Sequence, residues 1–231
     1  MDFETLHRLE IPLNRWLHSL GNEWSDAFFR FANLFDRFEF YTLIILMLWL
    51  VGRRAASMRL FYLFAGSSTL NTLLKLVFAQ PRPLHLEPEL GLLYFRSYGI
   101  PSGGAMTAGL VIGLTFIFFK QRSLRAIAIL WGLMLMITRL GLGAHFASDI
   151  VLGFVIGLAE ALFYQFYLRP YEYAWPHLSR GQRIALLMLP VILFGLASFA
   201  RPYLGIYALI SLALLTRARA PVPNLDLKKQ G

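Results

Sequence analysis

The sequence predicts an all-α membrane protein: a polytopic bundle of about six transmembrane helices, or seven, that follows an amphipathic N-terminal segment at the membrane interface. The composition indicates this fold class, because 57% of the 231 residues are hydrophobic, only 15% are charged and the mean hydropathy is +0.56. An ordinary soluble domain is less apolar. Apolar stretches also recur along the chain, and several approach the ~20 residues that a helix needs to cross a bilayer.

The basic residues of the chain gather in four clusters between the apolar stretches. These are Arg53, Arg54 and Arg59; Lys120, Arg122 and Arg125; Arg169, Arg180 and Arg183; and Arg217, Arg219, Lys228 and Lys229. Lysine and arginine collect in the cytoplasmic loops of membrane proteins, so we place all four clusters on the cytoplasmic side. The net charge of +9 then reflects membrane topology, and we expect no nucleic-acid partner.

This placement requires one crossing before the first cluster and two between successive clusters, so the N-terminus lies outside. The predicted spans are 28–51, 57–79, 103–119, 126–142, 147–167 and, crossing twice, 184–216. Charged residues interrupt the outer half of the first span, and the alternatives are that it begins nearer Phe38 or is partly sheltered in protein. The last segment forms either two short helices around Arg201–Pro202 or one bent helix.

The ends of the chain differ from the spans in composition. Residues 1–25 are amphipathic, and we expect them to lie along the membrane surface. Residues 217–231 are polar, and we predict a disordered cytoplasmic tail there. The sequence contains no internal linker, so residues 1–216 are predicted to form a single membrane-embedded domain.

The predicted topology brings the unusual polar residues of the apolar half to the outer membrane face. These residues are Lys75, Arg82, Ser102, Arg139, His145 and Asp149. Each one alone has a structural explanation, such as a lysine whose ammonium group reaches the membrane surface. Together they supply three cations, an imidazole and a carboxylate where ionisable side chains are costly. That set suits a pocket for an oxyanion that also contains a nucleophile.

The sequence PSGGAMTAG at 101–109 begins one of the predicted spans. The first turn of a helix leaves backbone N–H groups unpaired and carries the positive end of the helix dipole, which favours an anion. Gly103 and Gly104 have no side chains, so an anion can approach these N–H groups closely. Ser102 can cap the helix or hydrogen-bond to an oxygen of the anion.

These residue types together define a chemistry. Lys75, Arg82 and Arg139 can neutralise a phosphate and the charge of its transition state. His145 can attack phosphorus through an unprotonated ring nitrogen, and Asp149, one helical turn later, can hold the proton of the other nitrogen. This arrangement needs no metal or other cofactor, and a His–Asp pair alone is too sparse for a metal shell. The chain has no cysteine, which excludes thiolate metal sites.

Three motifs in this order resemble those of the type-2 phosphatidic acid phosphatase superfamily, which also includes vanadium haloperoxidases. The motifs are K-x6-R-P at Lys75–Pro83, P-S-G at Pro101–Gly103 and R-x5-H-x3-D at Arg139–Asp149. The resemblance implies a helical bundle, a metal-independent phosphohistidine mechanism and a lipid phosphate or lipid pyrophosphate substrate. It also implies that His145 is the nucleophile and Asp149 its partner. The phosphate-binding residues that it implies are Lys75, Arg82, Ser102, Gly103 and Arg139, joined by the helix start at Gly104.

Two positions depart from the family pattern. Thr138 replaces a serine, a mild change, whereas Gly104 replaces a histidine that protonates the leaving group. An alkoxide is a poor leaving group, because its conjugate acid is about as weak as water, with a pKa of ~15.7. Without an acid its loss is slower by on the order of 10²–10⁴-fold, whereas a phosphate, with a second pKa of ~6, leaves more easily. Gly104 therefore favours a lipid pyrophosphate, such as a polyprenyl pyrophosphate, and His85 is the candidate substitute acid.

These features favour a membrane phosphatase that acts on a lipid phosphate or, preferentially, a lipid pyrophosphate. We expect a bacterial inner (plasma) membrane, and the predicted topology makes the site face the periplasm or the outside. A lipid phosphotransferase would use the same phosphohistidine and every motif residue. A non-catalytic phosphate-lipid binder or transporter, which has lost the general acid, is the third alternative. The expected partners are the lipid substrate and the bilayer, and the sequence does not determine the oligomeric state.

Overall fold

The computed structural model describes residues 3–174, 177–199 and 202–217, and every regular element in these residues is helical. The helices are α1 (Phe3–Ser19), α2 (Glu23–Ala32), α3 (Phe38–Leu50), α4 (Arg54–Phe78), α5 (Pro83–Leu86), α6 (Gly103–Phe118), α7 (Arg122–Gly141), α8 (Ala147–Phe163), α9 (Arg169–Ala174), α10 (Arg180–Ala197) and α11 (Tyr203–Arg217). Single 3₁₀ turns lie at Asn33–Asp36 and Pro88–Leu90, and a π-helical turn at Tyr164–Leu168 joins α8 to α9. The predicted all-α class is confirmed.

The apolar helices follow the predicted spans in order. Within the described residues, three segments are long and apolar enough to cross a membrane: Arg54–Leu86, Arg122–Gly141 and Ala147–Glu172. Three shorter apolar helices accompany them: Phe38–Leu50, Gly103–Phe118 and Gly181–Ala197. A helix of 16 residues, such as α6, is about 24 Å long, so it is shorter than the ~30 Å hydrocarbon core and requires local thinning or polar ends.

The first predicted span, 28–51, is wrong in its outer half, and the alternative start near Phe38 is the correct one. The helix α2 is separate, because the Asn22 side chain accepts hydrogen bonds from the backbone of Trp24 and Ser25 and caps a new helix. The 3₁₀ turn Asn33–Asp36 follows α2. Helix α3 then begins at Phe38 and has an almost entirely apolar sequence. Of the charges that interrupted the predicted span, Asp36 lies in this turn and Arg37 directly after it. Arg30 lies in α2 and Glu39 in the first turn of α3.

Two compact units divide the chain: Met1–Tyr41 with Leu73–Leu162, and Thr42–Thr72 with Phe163–Gly231. In the second unit, α10 and α11 pack against each other, and Pro202 precedes the start of α11. The buried residues of this unit include Phe61, Phe194, Leu204 and Tyr207. The segment 184–216 therefore contains two helices, whereas Arg201 and the predicted tail beyond Arg217 lie outside the described residues. The single domain predicted for 1–216 stays a prediction.

The first unit contains all the predicted site residues. Its helix α1 is amphipathic, as predicted: Ile11 is buried beside Leu90 and Phe146, whereas Leu9 and Trp16 are exposed. Exposed apolar side chains of this kind suit the boundary between lipid and water.

Helices α6 and α8 approach closely because both have glycines at their contact. A Cβ atom at Gly157 would overlap the carbonyl oxygen of Met106 and lie 2.9 Å from the backbone nitrogen of Leu110. A Cβ atom at Gly153 would lie 2.5 Å from the carbonyl oxygen of Ser102. Gly153 and Gly157 thus form a small-xxx-small pair that lets the two helices pack backbone against backbone.

Replacing Gly157 with alanine is expected to lower the thermal unfolding midpoint in detergent, because the new methyl group pushes α6 away from α8. Overpacking of this kind costs about 1–3 kcal/mol or more. Gly66→Ala is the matched control: it lies in α4, and no described atom outside its own helix lies within 4 Å of its added Cβ. Alanine stabilises a helix interior relative to glycine, so this control should be neutral or stabilising. Equal midpoints for the two variants would contradict the prediction.

Candidate active site

The connection between α7 and α8 carries His145, and the first turn of α8 carries Asp149. The Asp149 Oδ2 atom lies 3.1 Å from His145 Nδ1 and accepts a second hydrogen bond, also of 3.1 Å, from the backbone nitrogen of Phe146. The connection turns at Gly143, with φ of +64°, where a Cβ atom would overlap the carbonyl of Leu90. Both His145 and Asp149 are buried, so the pair has a fixed orientation.

The hydrogen bonds of His145 define which ring nitrogen carries the proton. Arg82 Nη1 lies 2.9 Å from His145 Nε2, and a guanidinium group only donates hydrogen bonds. The Nε2 atom must therefore accept, and the proton lies on Nδ1, from which it is donated to Asp149. This is the tautomer that a histidine nucleophile needs, with its lone pair on the nitrogen that faces the cations.

Backbone carbonyls of the segment before α6, together with that of Ala144, hold two of the predicted phosphate-binding cations. Arg82 donates from Nε to the Ser97 carbonyl at 2.6 Å and from Nη1 to the Ala144 carbonyl at 2.7 Å. Lys75 Nζ donates to the carbonyl oxygens of Tyr98 and Gly99, each at 2.7 Å. Both side chains are buried, and these carbonyls offset much of the cost of burying their charges.

The start of α6 is fixed directly to the His–Asp pair. The backbone nitrogen of Ser102 donates to the Asp149 carbonyl at 3.0 Å, and the Ser102 hydroxyl accepts a longer hydrogen bond, 3.5 Å, from the Ala105 nitrogen. Ser102 is thus the N-cap of α6, as predicted. Gly103 and Gly104 form its first turn, where backbone N–H groups lack partners inside the helix.

The guanidinium group of Arg139 contacts two residues that the sequence reasoning missed. Its Nη1 atom donates to Asp36 Oδ2 at 3.0 Å and its Nη2 atom to Asn33 Oδ1 at 2.6 Å. Its Nε atom is buried and has no hydrogen-bond partner among the described residues. Asn33 and Asp36 lie in the 3₁₀ turn between α2 and α3. The signal that could have found them is the group of charges that interrupts the first predicted span.

The Asp36 carboxyl group also lies against Gly104. A Cβ atom at Gly104 would lie 3.0 Å from Asp36 Oδ2 and 3.1 Å from both Cγ and Oδ1. Real Cβ atoms rarely approach other atoms so closely. The carboxyl group therefore fills the space into which a larger side chain at position 104 would project.

A model of the PAP2 superfamily matches residues 56–172, just over half of the chain. The chain belongs to the PAP2 superfamily. This confirms the resemblance to type-2 phosphatidic acid phosphatases. The matched residues include all three motifs, whereas α1 and the turn with Asn33 and Asp36 precede them.

Two solved structures have the same fold. The transmembrane PAP2-type phosphatidylglycerolphosphate phosphatase from Bacillus subtilis has a TM-score of 0.62 and 18% identity, over 72% of this chain and 87% of that one. Aquifex aeolicus LpxE has a TM-score of 0.60 and 23% identity, over 69% and 96%. A comparison with curated proteins found no match. The apolar helices and this shared fold identify an integral membrane protein.

His85, the predicted substitute acid, has both ring nitrogens engaged by its own segment. Its Nδ1 atom accepts a hydrogen bond of 3.3 Å from the Arg82 backbone, and its Nε2 atom lies 2.8 Å from the Phe95 carbonyl. The ring as a whole is exposed. These contacts favour a role for His85 in holding the segment that carries Arg82.

The helix α1 contributes a further set of contacts that lies outside the PAP2 match. Asn14 Nδ2 donates to the His145 carbonyl at 3.3 Å. The His7 ring stacks on Phe146, with centroids 4.3 Å apart. Glu10 accepts hydrogen bonds from the backbone and hydroxyl of Ser148 at 2.8 and 2.7 Å. This helix therefore supports the connection that carries the histidine.

His145 is expected to stay neutral with its proton on Nδ1 through the pH range in which ordinary histidines titrate. Burial lowers the pKa of His145 well below its usual value, and the charges of Arg82, Lys75 and Arg139 lower it further. NMR of the purified protein with isotopically labelled histidine measures this directly. The chain has five histidines, and His145→Ala assigns the signal by its loss. A His145 signal that titrates near pH 6.5 would contradict the prediction.

Proposed function

We propose that this PAP2 protein is a phosphatase that removes phosphate from a phosphorylated membrane lipid, with His145 as the nucleophile. The hydrogen-bonding of His145 carries the proposal: its Nε2 lone pair faces Arg82, and its Nδ1 proton is held by Asp149. A buried histidine in this form, among three cations, suits attack on a phosphate and has no evident structural purpose.

In the proposed reaction, the phosphate group lies among Lys75, Arg82 and Arg139, beside the first turn of α6. The Nε2 atom of His145 bonds to phosphorus and the bond to the leaving group breaks. Asp149 stabilises the positive charge that develops on the ring, and the three cations stabilise the phosphoryl oxygens. Water then attacks phosphorus, the P–N bond breaks, and phosphate leaves. No step requires a metal, and activity in a chelator tests that part of the proposal.

Two lipid classes fit this site. A lipid pyrophosphate releases a phosphate group, whereas a lipid phosphate monoester releases an alcohol that needs a proton. Glycine stands at position 104, where the family pattern has a histidine that protonates the leaving group. The preference for a pyrophosphate depends on whether another group supplies that proton. The substrate class is therefore tested with one lipid of each kind.

Phosphate release by the purified protein in detergent, with a chelator, tests the function. Polyprenyl pyrophosphate and phosphatidic acid are the two substrates, and His145→Ala is the blank. Release from at least one lipid, above the blank and without an added acceptor, supports a hydrolase. Release that requires an acceptor lipid would indicate the phosphotransferase instead. Binding of both lipids with no release under either condition would overturn the proposal in favour of a binder.

The site is proposed to face the periplasm or the outside, because the basic clusters are expected in the cytoplasm. The absence of cysteine allows single cysteines to report on this. Glu89→Cys, in the exposed segment after α5, should react with a membrane-impermeant maleimide in intact cells. Gln121→Cys, exposed between α6 and α7, should react only after the membrane is opened. The reverse pattern would contradict the proposed orientation.

A further inference from the structure

We propose that Asp36 donates the proton to the leaving group. It would take the role of the histidine that the family pattern has at the position of Gly104. The inference rests on the proposed phosphatase function and names a residue that lies outside the PAP2 match. It depends on three observations: the space beside Gly104, the contact with Arg139, and the partial exposure of the carboxyl group.

The first observation is that the Asp36 carboxyl group and Gly104 fit each other. Three atoms of the group lie 3.0–3.1 Å from the position of a Cβ atom at Gly104. A histidine at position 104 would have to displace the carboxyl group. Glycine thus leaves room beside the start of α6 for an acid that comes from another part of the chain.

The second observation is that Asp36 contacts Arg139, one of the three predicted phosphate-binding cations. It pairs with Arg139 Nη1 at 3.0 Å, and Arg139 is one of the three cations whose charge acts on His145. A phosphate that reaches Arg139 therefore comes beside Asp36. The Arg139 contact favours the ionised carboxylate, whereas the negative charge of the bound phosphate opposes this effect and favours the protonated form, since like charges repel each other.

The third observation is that the Asp36 side chain is 18% exposed, whereas that of Arg139 is only 4% exposed. A group that water reaches can gain a proton as the phosphate binds. A fully buried carboxyl group would exchange protons with water less readily. Asn33 holds the second terminal nitrogen of Arg139 at 2.6 Å, which keeps the guanidinium group next to the 3₁₀ turn.

With this assignment, each proton that the reaction transfers has a donor and an acceptor in the site. As His145 Nε2 bonds to phosphorus, the bond to the lipid oxygen breaks and that oxygen takes the proton of Asp36. In the second step the Asp36 carboxylate takes a proton from water, while the water oxygen bonds to phosphorus and the P–N bond breaks. Asp36 is protonated again, and His145 regains its lone pair.

The substrate class changes with this assignment. A site with an acid at Asp36 can expel an alcohol, so lipid phosphate monoesters become substrates as well as pyrophosphates. The pyrophosphate preference predicted from Gly104 then no longer follows. A purely structural Asp36, which only orients Arg139, would lower the rate for both lipid classes to the same extent.

Asp36→Asn tests the proposal, since asparagine keeps the shape and can still accept a hydrogen bond from Arg139. We expect wild type to hydrolyse both phosphatidic acid and polyprenyl pyrophosphate. The variant should lose on the order of 10²–10⁴-fold in kcat/KM with phosphatidic acid and less than about tenfold with the pyrophosphate. Glu39→Gln is the matched control: this exposed carboxylate pairs with Arg37 at 2.7 Å, and both rates should stay unchanged.

Equal losses on both lipids would overturn the proposal and make Asp36 a residue that positions Arg139. No loss on either lipid, or wild-type activity on the pyrophosphate alone, would overturn it too, while the phosphatase function stands. No release by wild type from either lipid would instead refute the function itself, so the two failures are distinguishable.

Substitutions at positions 104 and 36, alone and combined, give a second test, which depends on the space shared by the two side chains. Gly104→His alone should be impaired, because even its Cβ atom would lie only 3.0 Å from the Asp36 carboxyl group, which would have to shift. Adding Asp36→Gly should remove that collision and raise phosphatidic acid hydrolysis above that of either single variant. Gel filtration identifies variants that do not fold. A folded double variant no more active than the singles would count against the proposal.

Discussion

His145→Ala is expected to reduce phosphate release from any lipid substrate to the level of the uncatalysed reaction. The loss should be on the order of 10⁴-fold or more, the scale seen when an enzyme loses its nucleophile. The physical reason is that Nε2 carries the lone pair that faces the cations. Without it no P–N bond forms, and the cations can bind phosphate but not transfer it. Lipid binding should therefore persist while release disappears.

The control for this variant is His85→Ala, which removes an imidazole from the same face of the first unit. The two ring nitrogens of His85 lie at hydrogen-bond distance from backbone atoms of its own segment, at Arg82 and Phe95. We expect it to retain activity within about tenfold of wild type, the effect of losing two exposed hydrogen bonds. Activity lost in His85→Ala but kept in His145→Ala would refute the assignment of the nucleophile.

Asp149→Asn is expected to lower kcat by about 10³–10⁴-fold with little change in lipid binding, as found when the carboxylate that orients a catalytic histidine is replaced by an amide. An amide NH₂ group facing Nδ1 would force the ring proton onto Nε2, opposite the donor Nη1 of Arg82. An amide oxygen facing Nδ1 would keep the tautomer but lack the charge that stabilises the phosphorylated ring.

Rapid single-turnover measurements separate these effects in the variant. Slow formation of the phosphorylated protein, with unchanged lipid binding, is the expected result. The NMR signal of His145 should also change, because Asp149 Oδ2 is the acceptor for its Nδ1 proton. A variant that keeps wild-type rates would mean that the Asp149 contact is structural only.

Much of the site follows from short-range spacing. His145 and Asp149 are only four residues apart, and their polar atoms lie 3.1 Å apart although His145 precedes the start of α8. Ser102 before two glycines predicts a helix start, and Ser102 is the N-cap of α6. Gly153 and Gly157 predict a close helix contact, and both lie against the backbone of the segment Ser102–Leu110.

The parts that sequence reasoning missed are contacts between residues far apart in the chain. Asp36 and Arg139 are separated by 103 positions, and Asn14 and His145 by 131. No helical periodicity relates such residues, because periodicity describes only neighbours within one element. The start of α3 at Phe38 agrees with the alternative prediction for the first span, because charged residues before it are costly in lipid.

The sequence by itself determined the class of fold, the order of the apolar helices and the residues of the three motifs, because hydropathy and local spacing are properties of neighbouring residues. Only the tertiary structure decided that the Asp36 carboxyl group fills the space beside Gly104 and that α1 contacts the His145 connection. Glycine at position 104 indicates a missing side chain, but not what occupies its place. That depends on how separate segments pack, since the carboxyl group comes from a turn 68 positions earlier in the chain.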